Sequence, residues 1–377
     1  MLQFGLKSAI GLDISPNSVK LVELKKVKDK IFLLNIGKAN ISRPIVPEEE
    51  KASKLDEENT ISAIHNILEK CKIKSKNIIA SISSGDYVVV KHIKMPVASE
   101  KELRESIKYE ADDYIPFEID EVEIDFEITG EVLEHNETLM EVLLVAAKKD
   151  VVNQCEEMIK KIGFKTEIIS VDTFALEDAL SFQEEISGDE AIALIDIGSK
   201  ITSINIIEKG NSNFIRVIHL GGNDFTEAIA NTCGLSIEEA ENLKISKGKA
   251  SSPIESPEVA AMNISIITKT EDESTFLVNS VIDSVSTRLM NEITRSFSYY
   301  YTQLQKGKIE RIVLCGGGAK LTNINDYLAN GLGIPVNNIN LFAKTEIDPN
   351  HIKDNMVHLQ DPLYAVSFGL ALRGLNL

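Results

Sequence analysis

The chain is poor in the residue types that build metal centres and disulfide frameworks. Its four cysteines, Cys71, Cys155, Cys233 and Cys315, are scattered with no Cys-x-x-Cys pair, which points to buried free thiols in a reducing compartment. Six histidines stand singly and never at i, i+4 spacing, so a zinc site has little support. Long apolar runs are missing too. Asp13 interrupts the N-terminal apolar stretch too early for a signal peptide, and the run Val142–Ala147 falls far short of the ~20 residues of a spanning helix. A cytoplasmic chain is expected. Positive charge is in deficit, 40 basic against 58 acidic residues, and the formal charge of −18 argues against nucleic acid or an anionic membrane as a direct electrostatic partner. What is present is ordinary for a globular protein: 377 residues, enough for two cores, at 43% hydrophobic and 26% charged.

The stretch that organises the rest is 191–203, Ala-Ile-Ala-Leu-Ile-Asp-Ile-Gly-Ser-Lys-Ile-Thr-Ser. An apolar run leads into Asp196, and alternation resumes at Ile201, which predicts a β-hairpin with an acid at its lip. Gly198 lacks a Cβ, so the turn Ile197-Gly198-Ser199 could bring backbone N–H groups and a hydroxyl close to a phosphate. Asp196 could hold Mg²⁺ through water, because that ion gives up its hydration reluctantly. Alone this is a weak signal, since Asp-Ile-Gly-Ser occurs in many plain hairpins. Residues 9–23 repeat the pattern of strand, Asp13, polar turn and strand, about 180 residues earlier, roughly one domain length. The duplication predicts two related domains facing each other across a phosphate-binding cleft.

In order along the chain, Ile31–Ala39 reads as a third strand and Arg43–Asn59 as a polar surface loop. Ile61, Ile64, Leu68 and Cys71 mark one helix face, and Ile78–Ser83 is a strand. Residues 87–165 have a different character. Ser99 and Glu102 form a capping box before a helix carrying Leu103, Ile107, Ala111 and Tyr114, which Pro116 stops. Val122, Ile124, Phe126 and Ile128 alternate with acids as a one-sided strand, paired with Leu139–Ala147 across a polar turn at 130–138. A second helix at 152–162 and a strand at 166–171 complete a βαββαβ order with helices on one face. In the second half, a meander ends at Asn213–Leu220, Gly221-Gly222-Asn223-Asp224 opens a helix, and Ile237–Ile245 forms another. Phe276–Gln305 reads as a long helix with apolar residues at 277, 281, 285, 289, 293 and 297. Ile309–Cys315 runs into Gly316-Gly317-Gly318, with Thr322 capping the helix beyond, and Leu363–Leu372 is a helix rich in small residues.

These elements together resemble the actin-like ATPase superfamily, and within it the type IV pilus assembly PilM family, with the FtsA family next. The likeness covers essentially the whole chain. It rests on Asp13-Ile14-Ser15 followed by Val19-Lys20-Leu21-Val22-Glu23, on Glu110-Ala-Asp-Asp-Tyr-Ile-Pro-Phe117, and on Gly221-Gly222-Asn223-Asp224. Leu314-Cys-Gly-Gly-Gly-Ala319 and Ala365-Val-Ser-Phe-Gly-Leu-Ala-Leu-Arg373 complete it. The resemblance implies an α/β, actin-like (ribonuclease H-like) fold with duplicated nucleotide-binding domains. The first is expected at 1–86 and 166–190 with the C-terminal helix 356–377, the second at 191–355, and an inserted α+β interaction module at 87–165.

The resemblance also implies roles. Asp13 and Asp196 would hold Mg²⁺ through water from opposite sides of the cleft. Ser15, Asn17, Ser18 and Lys20 would serve the ATP phosphates from one hairpin, and Gly198, Ser199 and Lys200 from the other. Glu241 and Lys244, one turn apart on a helix, would reach ribose and adenine, and Gly316, Gly317 and Gly318 would close over the nucleoside. Asp172 stands where relatives place the acid that orients the attacking water; a plain helix N-cap is the alternative for it. Two departures from the family pattern point to at most slow ATPase activity. Asp-Ile-Ser-Pro replaces Asp-Ile-Gly-Ser, so Ser15 is expected in a conformation glycine adopts more cheaply, and Pro16 lacks an N–H. Asp172 is also shorter than the expected Glu.

The implied role is an ATP-loaded cytoplasmic scaffold of a pilus or related secretion machine. Its expected partner is the short N-terminal cytoplasmic peptide of a PilN-like single-span membrane protein, which would recruit it to the membrane, and self-association is a further expectation. Tyr109, Tyr114, Ile115 and Phe117 crowd the end of the module's first helix and are the candidate dock, unless they only close that module's core. A sugar or acetate kinase of the same superfamily would need a substrate pocket with its own base, and no such constellation is visible. An FtsA-like filament protein would need a C-terminal basic amphipathic helix, and the chain ends at Arg373-Gly-Leu-Asn-Leu377 without one.

Overall fold

A computed structural model describes residues 8–42, 49–73, 75–134, 137–184, 186, 190–251, 273–304, 307–347 and 361–375. The chain divides into two compact units. One takes the chain through Asp178 and the C-terminal helix from Val366; the other takes Ala179–Glu346 and the turn that ends at Ala365.

In the first unit β1 (Ser8–Ser15), β2 (Ser18–Val27) and β3 (Lys30–Asn40) form an antiparallel meander. Beside β1 lies β4 (Asn77–Ile82), and beyond it β8 (Lys165–Val171), both parallel, so the strands run β3-β2-β1-β4-β8. Helix α1 (Glu49–Lys70) covers β2 and β3, placing Ile64, Ile67 and Leu68 in the core with Ile10, Leu12 and Leu21. The polar loop expected up to Asn59 is wrong from residue 49 onward, because Glu-Glu-Lys-Ala-Ser-Lys-Leu is polar yet rich in strong helix formers. Polarity alone does not separate a loop from the solvated start of a helix.

The module grows out of this unit. β5 (Val88–Pro96), β6 (Val122–Glu134) and β7 (Glu137–Lys148) form a three-stranded antiparallel sheet in the order β5-β7-β6. Helix α2 (Glu100–Ala111) packs on it through Leu103, Ile107 and Ala111, and its start carries the expected Ser99–Glu102 capping box. The helix ends at Ala111, one turn short of Tyr114 and ahead of Pro116. The β6–β7 hairpin is longer than expected, since β6 runs to Glu134. The βαββαβ reading also needs correction. Helix α3 (Lys149–Lys161) sends Met158 and Ile159 into the core of the first sheet, and β8 is a strand of that sheet. The apolar spacing of α3 showed a buried face without saying which sheet buries it.

The second unit repeats the first. β9 (Ala191–Ile197), β10 (Thr202–Glu208) and β11 (Asn211–Ile218) form the meander, and β12 (Ile309–Cys315) and β13 (Val336–Asn338) add parallel strands in the order β11-β10-β9-β12-β13. One face carries α5 (Gly222–Cys233), α6 (Ile237–Lys247), α7 (Glu273–Thr302) and α8 (Ile324–Leu332). The buried stripe of α7 is Val278, Ile282, Val285, Leu289, Ile293 and Phe297, with Val281 partly buried against the same core; of the expected positions only Leu277 is exposed. Thr322 does not cap α8. Asn323 holds the cap position in the left-handed region, φ 65°, and Thr322 instead gives its carbonyl to Ala250. The match in strand order between the two units is the duplication that the repeated Asp-ended hairpins predict.

Candidate functional site

In the second unit three glycine-bearing segments close on the lip of β9. The carbonyls of Gly198 and Ser199 accept the N–H groups of Gly222 (2.8 Å) and Asn223 (2.7 Å), so the start of α5 spends its otherwise unpaired donors on the hairpin turn. In a trans peptide the carbonyl and the following N–H point opposite ways, which leaves the N–H groups of Ser199 and Lys200 aimed away from α5. Gly316 lies against Asp196 with φ +80°, and a Cβ there would fall 2.0 Å from Asp196 Oδ1. A Cβ on Gly318 would meet Ile197 at 2.1 Å, and one on Gly221 would meet the Ser199 carbonyl at 2.7 Å. Gly317 has only Leu363 nearby, at 3.4 Å. The Ser199 hydroxyl is buried at this lip with no hydrogen-bond partner among the described residues, and Lys200 beside it is exposed.

Glu241 and Lys244 come together on α6 at 2.7 Å, with the Lys244 side chain 14% exposed. Lys244 Nζ also donates to the Gly222 carbonyl (3.0 Å) and to Thr226 Oγ1 (2.8 Å), and Thr226 donates to Glu241. The pair is thereby tied to the start of α5. Sequence reasoning missed Gly221, Gly222 and Thr226 as site residues, although a Gly-Gly pair followed by an Asp that closes back on the Gly221 N–H was visible.

The first hairpin is built differently. Asp13 and Lys20 are direct cross-strand partners, and Lys20 Nζ donates to Asp13 Oδ2 at 2.9 Å with side chains only 7% and 12% exposed. The same ammonium reaches the Ser15 hydroxyl, which donates to the Ser18 carbonyl at 3.1 Å. Ser18 is buried in β2, and the Asn17 carbonyl accepts from Ile41. The departure at this position predicts a glycine-like conformation for Ser15, and the structure corrects that: Ser15 is not in the left-handed region and pairs with Ser18 as the last residue of β1. Pro16 closes a two-residue turn that requires no glycine-like backbone.

Asp172 begins α4 (Asp172–Gln183) directly after β8. Its Oδ1 accepts from the N–H of Ser84 (3.0 Å), the N–H of Thr173 (2.7 Å) and the Ser84 hydroxyl, and Oδ2 accepts from Ser83 Oγ (3.0 Å). Burial raises its pKa above the usual carboxylate range, while these hydrogen bonds favour the charged form. The carboxylate ties the end of β4 to the start of α4.

The module residues divide. Tyr109 is 83% exposed, Ile115 is buried in the module's core, and Tyr114 and Phe117 are partly buried against it. Lys148 Nζ lies 5.0 Å from the centre of the Phe117 ring. The four cysteines are free, and burial pushes the Cys71 and Cys155 thiols up to about 11.

The model of the type IV pilus assembly protein PilM family matches residues 11–254, more than half of the chain. The chain belongs to the PilM family. A model of cell division protein FtsA matches residues 193–369. Among solved structures, a chain of a PilM-PilN type IV pilus biogenesis complex is 26% identical with a TM-score of 0.79, covering 98% of this chain and 99% of that one. Cell division protein FtsA of Bacillus subtilis is 24% identical over 395 residues, 96% of this PilM-family chain and 82% of the relative. MreB5 of Spiroplasma citri, solved bound to ADP, shares the fold at a TM-score of 0.51 and 15% identity, covering 97% of this chain and 95% of that one.

Proposed function

We propose that this PilM-family chain is an ATP-binding cytoplasmic scaffold of a type IV pilus or related secretion machine. The observation that carries the nucleotide reading is the lip of β9: a buried Ser199 hydroxyl with no partner among the described residues, where Gly316, Gly318 and Gly221 let three backbone segments close on Asp196, Ile197 and Ser199 with no room for a side chain. Ser199 and Lys200, with their outward N–H groups, would hold phosphate. Glu241 and Lys244, fixed by Thr226, would meet the nucleoside, and Gly316–Gly318 would lie flat against it. Asp13 and Asp196 would each hold Mg²⁺ through water, and the ion would neutralise phosphate charge. Removing such an outer carboxylate weakens metal binding about 10–100-fold. Calorimetry on Asp13→Ala and Asp196→Ala is expected to show that loss for Mg-ATP, and unchanged affinity in both variants overturns the assignment.

Hydrolysis is expected to be slow, because Asp172 is the candidate for orienting water and both its oxygens already serve Ser83, Ser84 and Thr173. Steady-state turnover of several per second, an ordinary rate for an enzyme, would contradict this.

The partner we infer is the N-terminal cytoplasmic peptide of a PilN-like single-span membrane protein. Support comes from family membership and from Tyr109, an aromatic side chain left 83% exposed on α2. Tyr114 and Phe117 would add their half-buried faces; Ile115 is spent on the core. Amide shifts on titrating such a peptide should cluster within 87–165, and a response centred on 191–347 would rule the dock out.

A further inference from the structure

The module's sheet carries opposite charge on its two edges. On β5 the exposed residues include the cations Lys91 and Lys94 with His92 between them, and on β6 the acids Glu123, Asp125, Glu127 and Glu131 are exposed together with the apolar Ile128 and Leu133. Among the described residues no strand pairs beyond β5 or β6. Both strands are antiparallel to β7, so they run in the same direction at opposite edges. Ile93 and Met95 of β5, and Val122, Ile124 and Phe126 of β6, pack on the α2 side. The alternation of a strand therefore puts His92 and Lys94 on the same face as Glu123, Asp125 and Glu127. Through β7 the levels correspond: His92 pairs with Leu143, which pairs with Glu127, and Val90 pairs with Val145, which pairs with Asp125.

We propose that these two edges recognise each other between copies of the chain, β5 of one copy pairing in parallel with β6 of the next. A neighbour displaced along the sheet brings Lys94 beside the acids of β6 on the shared face, where opposite charges on adjacent strands attract, and sets His92 level with Glu127. Lone charges on an edge ordinarily block pairing. Here like edges repel, β5 from β5 and β6 from β6, and only the unlike pair is favoured. The Lys94–Glu134 pair within one copy, 3.2 Å apart with both side chains more than 40% exposed, is too weakly held to prevent the exchange. Because the two edges differ, the contact is head-to-tail, giving a ring where the rotation between copies closes and an open chain where it does not. The inference is independent of nucleotide binding.

Sedimentation velocity of the full chain at rising concentration tests it. The wild type is expected to grow in size with concentration, and less so in roughly 0.5 M salt, where charges are screened. The double variants His92→Glu/Lys94→Glu and Asp125→Lys/Glu127→Lys should each lose association by at least about tenfold while keeping the circular dichroism of the wild type. An equimolar mixture of the two should recover it, since acidic β5 then meets basic β6. A wild type that stays monomeric, even if it binds a basic peptide along β6, overturns the proposal. So does a mixture of folded variants that fails to reassociate.

Discussion

Replacing Lys20 with methionine is expected to cost the first unit about 3–5 kcal/mol, because it strands a buried carboxylate. Asp13 and Lys20 face each other across β1 and β2 with side chains 12% and 7% exposed. Methionine fills much the same volume, so packing changes little and the loss is electrostatic. On the scale of a domain this size the transition should fall by on the order of 10 °C. The double variant Asp13→Leu/Lys20→Met should recover most of the loss, since two apolar side chains leave no charge uncompensated. Thermal unfolding of the three variants reads this out directly. Equal destabilisation in Lys20→Met and the double variant would show that the cost is packing rather than the stranded charge.

Substituting alanine at Gly11 or Gly369 is expected to be nearly as damaging, for a different reason. Helix α9 (Ala365–Gly374) lies with its backbone directly on β1 and α4. A Cβ at Gly11 would fall 1.9 Å from the Ser367 carbonyl oxygen, and one at Gly369 would fall 1.7 Å from the Ala175 carbonyl oxygen. Both obstacles are main chain and cannot rotate away, so each substitution must lift the helix. Overpacking of this kind costs about 3 kcal/mol, at the upper end for one added methyl. The same lift strains the Arg373–Asp178 contact, 2.7 Å, which anchors the helix's last turn to α4. The two substitutions act on one helix, so their effects should not add. Gly307→Ala, where nothing lies within 4 Å of the new atom, is the control and should leave stability within about 0.5 kcal/mol. Chemical denaturation separates these outcomes, and an unchanged midpoint for Gly369→Ala would contradict the packing described.

Much of the site was legible because its residues are local in sequence. Gly198, Gly316 and Gly318 require glycine for close approach, and that requirement is written in the residue type itself. The Glu241–Lys244 pair is one helical turn. Misreadings arose where a residue type has two uses. Ser15 was expected in a strained conformation because glycine is usual there, yet Pro16 allows a turn with negative φ. Asp172 carries both a water-orienting and a capping reading in the sequence, and only Ser83 and Ser84, almost ninety residues earlier, show which groups its oxygens bond.

What the sequence by itself determined is the repeated strand–Asp–turn–strand unit, the helices with strong apolar faces and the glycine positions, since each follows from spacing of a few residues. The tertiary structure alone decided which sheet receives α3 and β8, because a buried face does not name its partner. It also decided that Lys20 neutralises Asp13, that Thr226 and Gly222 fix Lys244, and that Ile115 belongs to a core while Tyr109 stands outside it. Those are contacts between side chains brought together by folding, and their energies depend on burial and distance, quantities that no linear pattern carries.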